Sequence, residues 1–198
     1  MERDKTDIMK KLSDDVERVL IGENELADII KRLGTEIDAD YSYIDGYENR
    51  LLLLGVLKGS VVFMGDLMKY ITVPAEIDFM KVSSYGESTK HGGSVNIILD
   101  LYRRDLPQTD ILIVEDIIDS GRTLSYLAEY LRLKGAKSVQ AVTLLDKPDR
   151  REVDFRPRYV GKEIPDEFVI GYGLDYAEKY RTLPYVGILK REVYEKQL

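Results

Sequence analysis

The chain has 198 residues, 44% of them hydrophobic and 33% charged, enough apolar material to bury one domain's core and too much for a disordered chain. Its 36 acids against 29 bases give a net charge of −7, which speaks against a nucleic-acid binder, whose affinity rests on neutralising phosphates. No cysteine is present, so disulfides, thiolate metal sites and a cysteine nucleophile are excluded.

The first residues are of mixed charge, with no apolar core of a signal peptide. The longest apolar run, Leu51–Leu57, is far shorter than a membrane span. A cytosolic enzyme that meets neither membrane nor nucleic acid is expected. From Asp4 to Leu20 the apolar residues follow a loose helical spacing that ends in Val19-Leu20-Ile21. Asn24 is placed to cap a helix carrying Leu26, Ile29, Ile30, Leu33 and Ile37 on one face. Arg50–Leu57 reads as a strand that stops at Lys58-Gly59-Ser60. A helix follows, capped by Ser60, with Val61, Val62, Met64, Leu67, Met68 and Ile71 packing inward. Gly59 allows a backbone to come close to a ligand.

Glu76–Ser83 and Val95–Leu99 alternate as strands do, Ile77 and Phe79 lying opposite Asp78 and Met80. Between them lie small and polar residues that include Tyr85 and the single histidine, His91. A mobile hairpin that closes over a site is expected there, with His91 a bystander because one histidine makes neither a triad nor a metal centre.

The chain is organised around Ile111–Thr123. Ile111-Leu112-Ile113-Val114 forms a run suited to a strand buried on both faces. It ends in Glu115-Asp116, a third acid at Asp119, and Ser120-Gly121-Arg122-Thr123, after which Leu124, Tyr126, Leu127, Leu131 and Leu133 mark a helix. A strand, an acidic edge, a turn of small residues and a helix N-terminus together make a site for a phosphorylated sugar. Carboxylates beside a phosphate repel it unless a cation intervenes, so Mg²⁺ is expected. Lys134-Gly135 closes the helix. Ser138–Leu145 makes a third buried strand, followed by the charged loop Asp146–Arg151, which Pro148 keeps out of helix. Glu152–Glu163 looks irregular, and Tyr185–Leu189 makes a last strand.

Strands alternating with helices predict an α/β fold with a mostly parallel central sheet flanked by helices. Ligands of such sheets bind at the carboxyl ends of the strands, where Lys58, Asp116–Thr123 and Lys147 all lie.

Ile111–Thr123 is similar, position for position, to the signature of the type I phosphoribosyltransferases. Leu57-Lys58-Gly59-Ser60, Ser83-Ser84-Tyr85-Gly86, Leu145-Asp146-Lys147, Ile164-Pro165-Asp166 and Phe168–Tyr176 resemble the hypoxanthine(-guanine) members. The resemblance implies one domain with a core over about 45–150 and a hood built from about 1–25 and 151–185. It implies transfer of phosphoribose from phosphoribosyl pyrophosphate to N9 of hypoxanthine or guanine, with Mg²⁺, in a cytoplasmic homodimer or homotetramer.

By the same resemblance, Ser120, Gly121, Arg122 and Thr123 hold the 5′-phosphate, while Glu115 and Asp116 hold the ribose. Asp119 is the proton partner of the purine. Lys58, Gly59 and Arg181 meet the pyrophosphate, and Arg151 supports that side. Lys147, Phe168, Val169 and Ile117 contact the purine. Ser84 and Tyr85 sit on the lid, and Glu115, Asp116 and Asp175 serve the metal. Lys162, Thr182 and the lack of Gly-Lys before the central strand depart from the family pattern.

Overall fold

The computed structural model describes residues 12–84 and 95–195. Its elements in chain order are β1 (Val16–Ile21), α1 (Glu23–Asp40), β2 (Arg50–Leu57), α2 (Ser60–Leu67), β3 (Ala75–Ser84), β4 (Val95–Leu99) and β5 (Thr109–Ile118). There follow α3 (Arg122–Leu133), β6 (Ser138–Asp146), β7 (Tyr159–Glu163), β8 (Val169–Ile170), β9 (Val186–Leu189) and α4 (Arg191–Tyr194). They divide between two compact units, one of Ile29–Asp166 and one of Met1–Asp28 with Glu167–Leu198.

The larger unit holds a six-stranded sheet in the order β4-β3-β2-β5-β6-β7. All neighbours pair in parallel except β3 with β4. Leu51 to Leu54 and Ile111 to Val114 are almost wholly buried, as central strands covered on both faces require. Leu52, Leu54, Ile111, Ile113, Val139 and Ala141 pack with Leu124, Leu127, Ala128 and Leu131 of α3. Helix α3 ends as a Schellman motif: Ala136 N–H donates to Leu131 O at 3.1 Å and Gly135 N–H to Arg132 O at 2.9 Å. At the foot of β5 the nearly buried Asp110 accepts from Tyr43 Oη, Lys137 Nζ and Ser138 Oγ, so its charge is fully partnered.

Several expectations are corrected. Leu26, Ile29, Ile30, Leu33 and Ile37 are buried as expected, but α1 begins at Glu23, so Asn24 lies inside the helix. Ser60 does not cap α2; its hydroxyl donates back to Val56 O at 2.6 Å. The inner face of α2 is Ser60, Phe63, Met64 and Leu67, spaced i, i+3, i+4, i+7 as one helical face must be. Val61, Val62 and Met68 are exposed, Met68 beginning a 3-10 turn that ends at Tyr70. On β3, Met80 is buried and Ile77 exposed. The stretch expected to be irregular contains β7, which pairs with β6 from Val142↔Tyr159 to Asp146↔Glu163. Residues 151–166, expected in the hood, therefore fall in the larger unit.

The smaller unit carries a three-stranded antiparallel sheet in the order β1-β9-β8. Val16–Ile21, expected at the end of a helix, is thus a strand, paired with β9 from Val16↔Leu189 to Ile21↔Val186. Its core is Ile170, Tyr180, Leu183 and Leu189. Tyr85, His91 and the expected hairpin tip lie outside the described residues, and Ser84 is the last residue of β3. Among the described residues no helix is long and apolar enough to cross a membrane.

Candidate active site

Two parallel strands of the larger unit, β2 and β5, end next to one another, and each hands over to a helix through a tight turn. In the first turn the Leu57–Lys58 peptide is cis. A Cβ placed on Gly59 would fall 1.6 Å from Asp116 Oδ2, so any larger residue would force the carboxylate or the turn to move. Asp116 Oδ1 also accepts from Ile117 N–H at 2.8 Å.

In the second turn Gly121 takes a left-handed conformation, φ +80°, and stands at the N-cap of α3. The first N–H groups of a helix have no partner within it, and they carry the positive end of its dipole. Glu115, Ile117, Ile118, Asp119, Ser120, Gly121, Thr123 and Leu124 line a cavity of about 120 Å³ in front of them. Serine, glycine and threonine beside such N–H groups suit an anionic oxygen cluster. Arg122 contributes differently from its neighbours, because its guanidinium pairs with Glu152 at 2.5 Å. Its backbone N–H, 3.4 Å from Ser120 Oγ, belongs to the turn.

Glu115 and Asp116 follow one another on a strand, so their side chains leave on opposite faces. Glu115 Oε2 is buried without a hydrogen-bond partner, and so is the hydroxyl of Thr143, its register neighbour on β6. Burial, and then the negative charge of Asp116, push the Glu115 carboxyl well above the usual carboxylate range. Orphaned polar atoms on two register neighbours call for a hydroxyl, a water or a cation. Among the described residues no three acidic or histidine side chains gather into a metal cage.

Beyond the turn, Lys147 is 6% exposed. Its Nζ lies 3.6 Å from Asp119 Oδ1 and 3.9 Å from Asp166 Oδ1, attracted by both but too far from either for a hydrogen bond. Asp119 remains about half exposed at its side chain. Asp119 lines the cavity and Lys147 stands beside it, a carboxylate able to accept and a cation able to donate. Arg151 turns inward: its guanidinium holds Asp146 Oδ1 and Asp119 O, each at 2.5 Å. The structure thereby brings together Lys58, Gly59, Glu115–Thr123 and Lys147 within one unit.

The remaining expected residues belong to the smaller unit. Phe168 is partly exposed, edge-on to Tyr176 and stacked on Tyr194 with centroids 5.0 Å apart. Val169 is buried on β8. Arg181 pairs with Asp175 at 2.7 Å and donates to Gly173 O at 2.7 Å. Asp175 also accepts from Glu178 N–H at 2.9 Å, so it braces a turn.

Sequence reasoning missed Thr143 and the part played by Asp146. The first gives no signal within an apolar strand. The second was readable only as an acid five residues before an arginine.

Residues 17–177 match the family model described as the phosphoribosyl transferase domain. The hypoxanthine-guanine phosphoribosyltransferase of Bacillus subtilis is 54% identical over 181 residues, covering 91% of this chain and 97% of that one. The protein of the same name from Staphylococcus epidermidis is 48% identical, covering 92% and 98%. A crystal structure of a hypoxanthine phosphoribosyltransferase from Staphylococcus aureus superposes with a TM-score of 0.86 at 46% identity, covering 96% of this chain and 99% of that one. The chain belongs to the phosphoribosyl transferase domain family and, within it, to the hypoxanthine-guanine phosphoribosyltransferases.

Proposed function

We propose that this chain transfers the 5-phosphoribosyl group of phosphoribosyl pyrophosphate to N9 of hypoxanthine, and of guanine, releasing pyrophosphate. The observation that carries the reading is the Asp119–Lys147 pair, 3.6 Å apart, of which Asp119 lines the cavity in front of the Gly121 turn.

The N–H groups of Ser120 to Thr123 and the two hydroxyls hold the 5′-phosphate. Glu115 and Asp116 accept from the ribose hydroxyls. As the pyrophosphate leaves, positive charge develops at the ribose C1, and the purine must already stand in line with it. Lys147 donates to the purine O6, which favours a 6-oxo ring over a 6-amino one. Asp119 accepts the proton of purine N7 while N9 forms the new bond. Ile117, Phe168 and the Val169 main chain make the remaining purine contacts, and Lys58, Gly59 and Arg181 the pyrophosphate contacts.

Mg²⁺ is part of this proposal. Glu115 Oε2, buried without a hydrogen-bond partner, and the Asp116 carboxylate on the other face of the strand are each of a type that a hard cation takes, and Asp175 is the candidate in the smaller unit. Magnesium takes one or two carboxylates and completes its shell with water and substrate phosphates, so no cage of three side chains is needed. When bound, it would neutralise the charge of the departing pyrophosphate.

Self-association into a dimer or tetramer is proposed on the exposed Val61, Val62, Met68 and Tyr70, and sedimentation velocity tests it. For the reaction, hypoxanthine, guanine, xanthine and adenine assayed side by side with phosphoribosyl pyrophosphate and Mg²⁺ are decisive. Turnover of hypoxanthine and guanine well above adenine is expected, and adenine as the preferred base would overturn the reading.

A further inference from the structure

Three consecutive carbonyls of the anion-binding turn are taken by donors from one neighbouring segment. Lys147 N–H donates to Ile118 O at 3.0 Å, Arg151 Nη1 to Asp119 O at 2.5 Å, and Glu152 N–H to Ser120 O at 3.0 Å. In a trans peptide the carbonyl of one residue and the N–H of the next point in opposite directions. Pinning the oxygens of residues 118 to 120 toward the 147–152 segment therefore sends the N–H groups of Asp119, Ser120 and Gly121 the other way. The same residues line the cavity, so a ligand held there comes within reach of those N–H groups.

Only the middle pin is a side chain. The guanidinium of Arg151, 18% exposed, spans from Asp119 O to Asp146 Oδ1. Asp146 is itself fixed: it is the last residue of β6, nearly buried, and its carbonyl accepts from Ile164 N–H at 2.8 Å. The arginine stem also lies against the turn, for a Cβ on Gly121 would come within 2.9 Å of Arg151 Cδ. The charge of Arg151 is spent on Asp146, so the residue acts on the ligand through the backbone it holds.

We propose that Arg151, locked by Asp146, is a positioning residue that keeps the N–H groups of the Asp119–Gly121 turn aimed at the phosphate. The inference rests on reading Ser120–Thr123 as the 5′-phosphate site. It sets Arg151 apart from a pyrophosphate contact, since both arms of its guanidinium are committed within the protein. It also separates two effects: losing the pin disturbs recognition of the phosphate, while the purine contact of Lys147, held by its own backbone bond to Ile118, persists.

The test compares competitive inhibition by inosine 5′-monophosphate with inhibition by inosine, which lacks only the phosphate. In Arg151→Gln the inhibition constant of the monophosphate is expected to rise about tenfold or more, as loss of a charge-assisted hydrogen bond implies, with that of inosine little changed. The KM for phosphoribosyl pyrophosphate should rise with it, and the KM for hypoxanthine should not. Arg151→Lys, which keeps the charge but reaches one partner at a time, should recover part of the loss. Asp146→Asn, which leaves the arginine in place and unlocks it, should show the same split more weakly and serves if Arg151→Gln fails to fold. Equal changes for monophosphate and nucleoside, or no change for either, would overturn the proposal. A wild-type protein that bound inosine as tightly as its monophosphate would instead overturn the reading of the phosphate site.

Discussion

The Cβ of an alanine at position 59 would sit 1.6 Å from Asp116 Oδ2. No rotamer of a methyl group relieves such a clash, so either the carboxylate or the turn must move. Both lie at the proposed ribose and pyrophosphate contacts, and a displacement of about 1 Å at a reacting centre can cost about 10²-fold. Gly59→Ala is therefore expected to lower kcat/KM by about two orders of magnitude, while circular dichroism reports an unchanged fold. Steady-state kinetics on a variant with near wild-type activity would show that the turn and Asp116 are not functionally coupled.

In the proposed reaction Asp119 serves the chemistry and Lys147 the binding of the base. Asp119→Asn keeps the size of the side chain and removes the base, so kcat should fall by about 10²- to 10⁴-fold with little change in KM for phosphoribosyl pyrophosphate. Lys147→Gln removes a nearly buried cation that faces two carboxylates. Its kcat/KM for hypoxanthine should drop by about 10- to 100-fold, and its preference over adenine should shrink. A Lys147→Gln protein that still rejected adenine as the wild type does would remove the lysine from base selection.

Leu51–Leu57 and Ile111–Val114 are recognisable because a strand buried on both faces leaves an unbroken apolar run, and β2 and β5 lie there. The signature turn is recognisable because its residue types are dictated locally, by a left-handed glycine and a helix start. Val16–Ile21 misleads because its partner β9 lies about 170 residues away and the pairing has register shifts, so no clean alternation survives. Helix α2 misleads in another way: its sequence has more apolar residues than one face can bury, and Val61 and Val62 are the surplus. The pinning of Ile118, Asp119 and Ser120 is illegible for a third reason. Two of its three donors are backbone N–H groups, which every residue here except proline has.

At the start of β2 and β3, away from the site, Arg50 and Arg103 each pair with both Glu76 and Asp105. Hydrogen bonds from Arg103, assisted by the charge of Arg50, lower the Asp105 carboxyl from its ordinary 3.8 to about 2 against the cost of partial burial. A group whose folded-state pKa is depressed stabilises the fold above its unfolded value and loses that contribution as pH falls through the folded one. Wild type should therefore exceed Asp105→Asn in melting temperature at neutral pH, and the gap should close between about pH 4 and pH 2. Thermal melts across that range check it; a gap independent of pH would assign the effect to lost packing instead of charge.

The buried hydroxyl of Thr143 has no partner, and neither has the Oε2 of its register neighbour Glu115. An unsatisfied polar group in the core costs about 1–3 kcal/mol, and valine replaces threonine at nearly equal volume without it. In the ligand-free protein Thr143→Val should therefore raise the melting temperature, by about 2–4 °C per kcal/mol recovered in a chain of this size. Such a gain would identify a polar atom kept at a cost to stability, as sites that must receive a ligand often do. If instead the hydroxyl holds a water that bridges to Glu115, valine strands that carboxyl further and the melting temperature falls. The sign of one thermal shift thus decides whether the space between Thr143 and Glu115 is dry or wet before a ligand arrives.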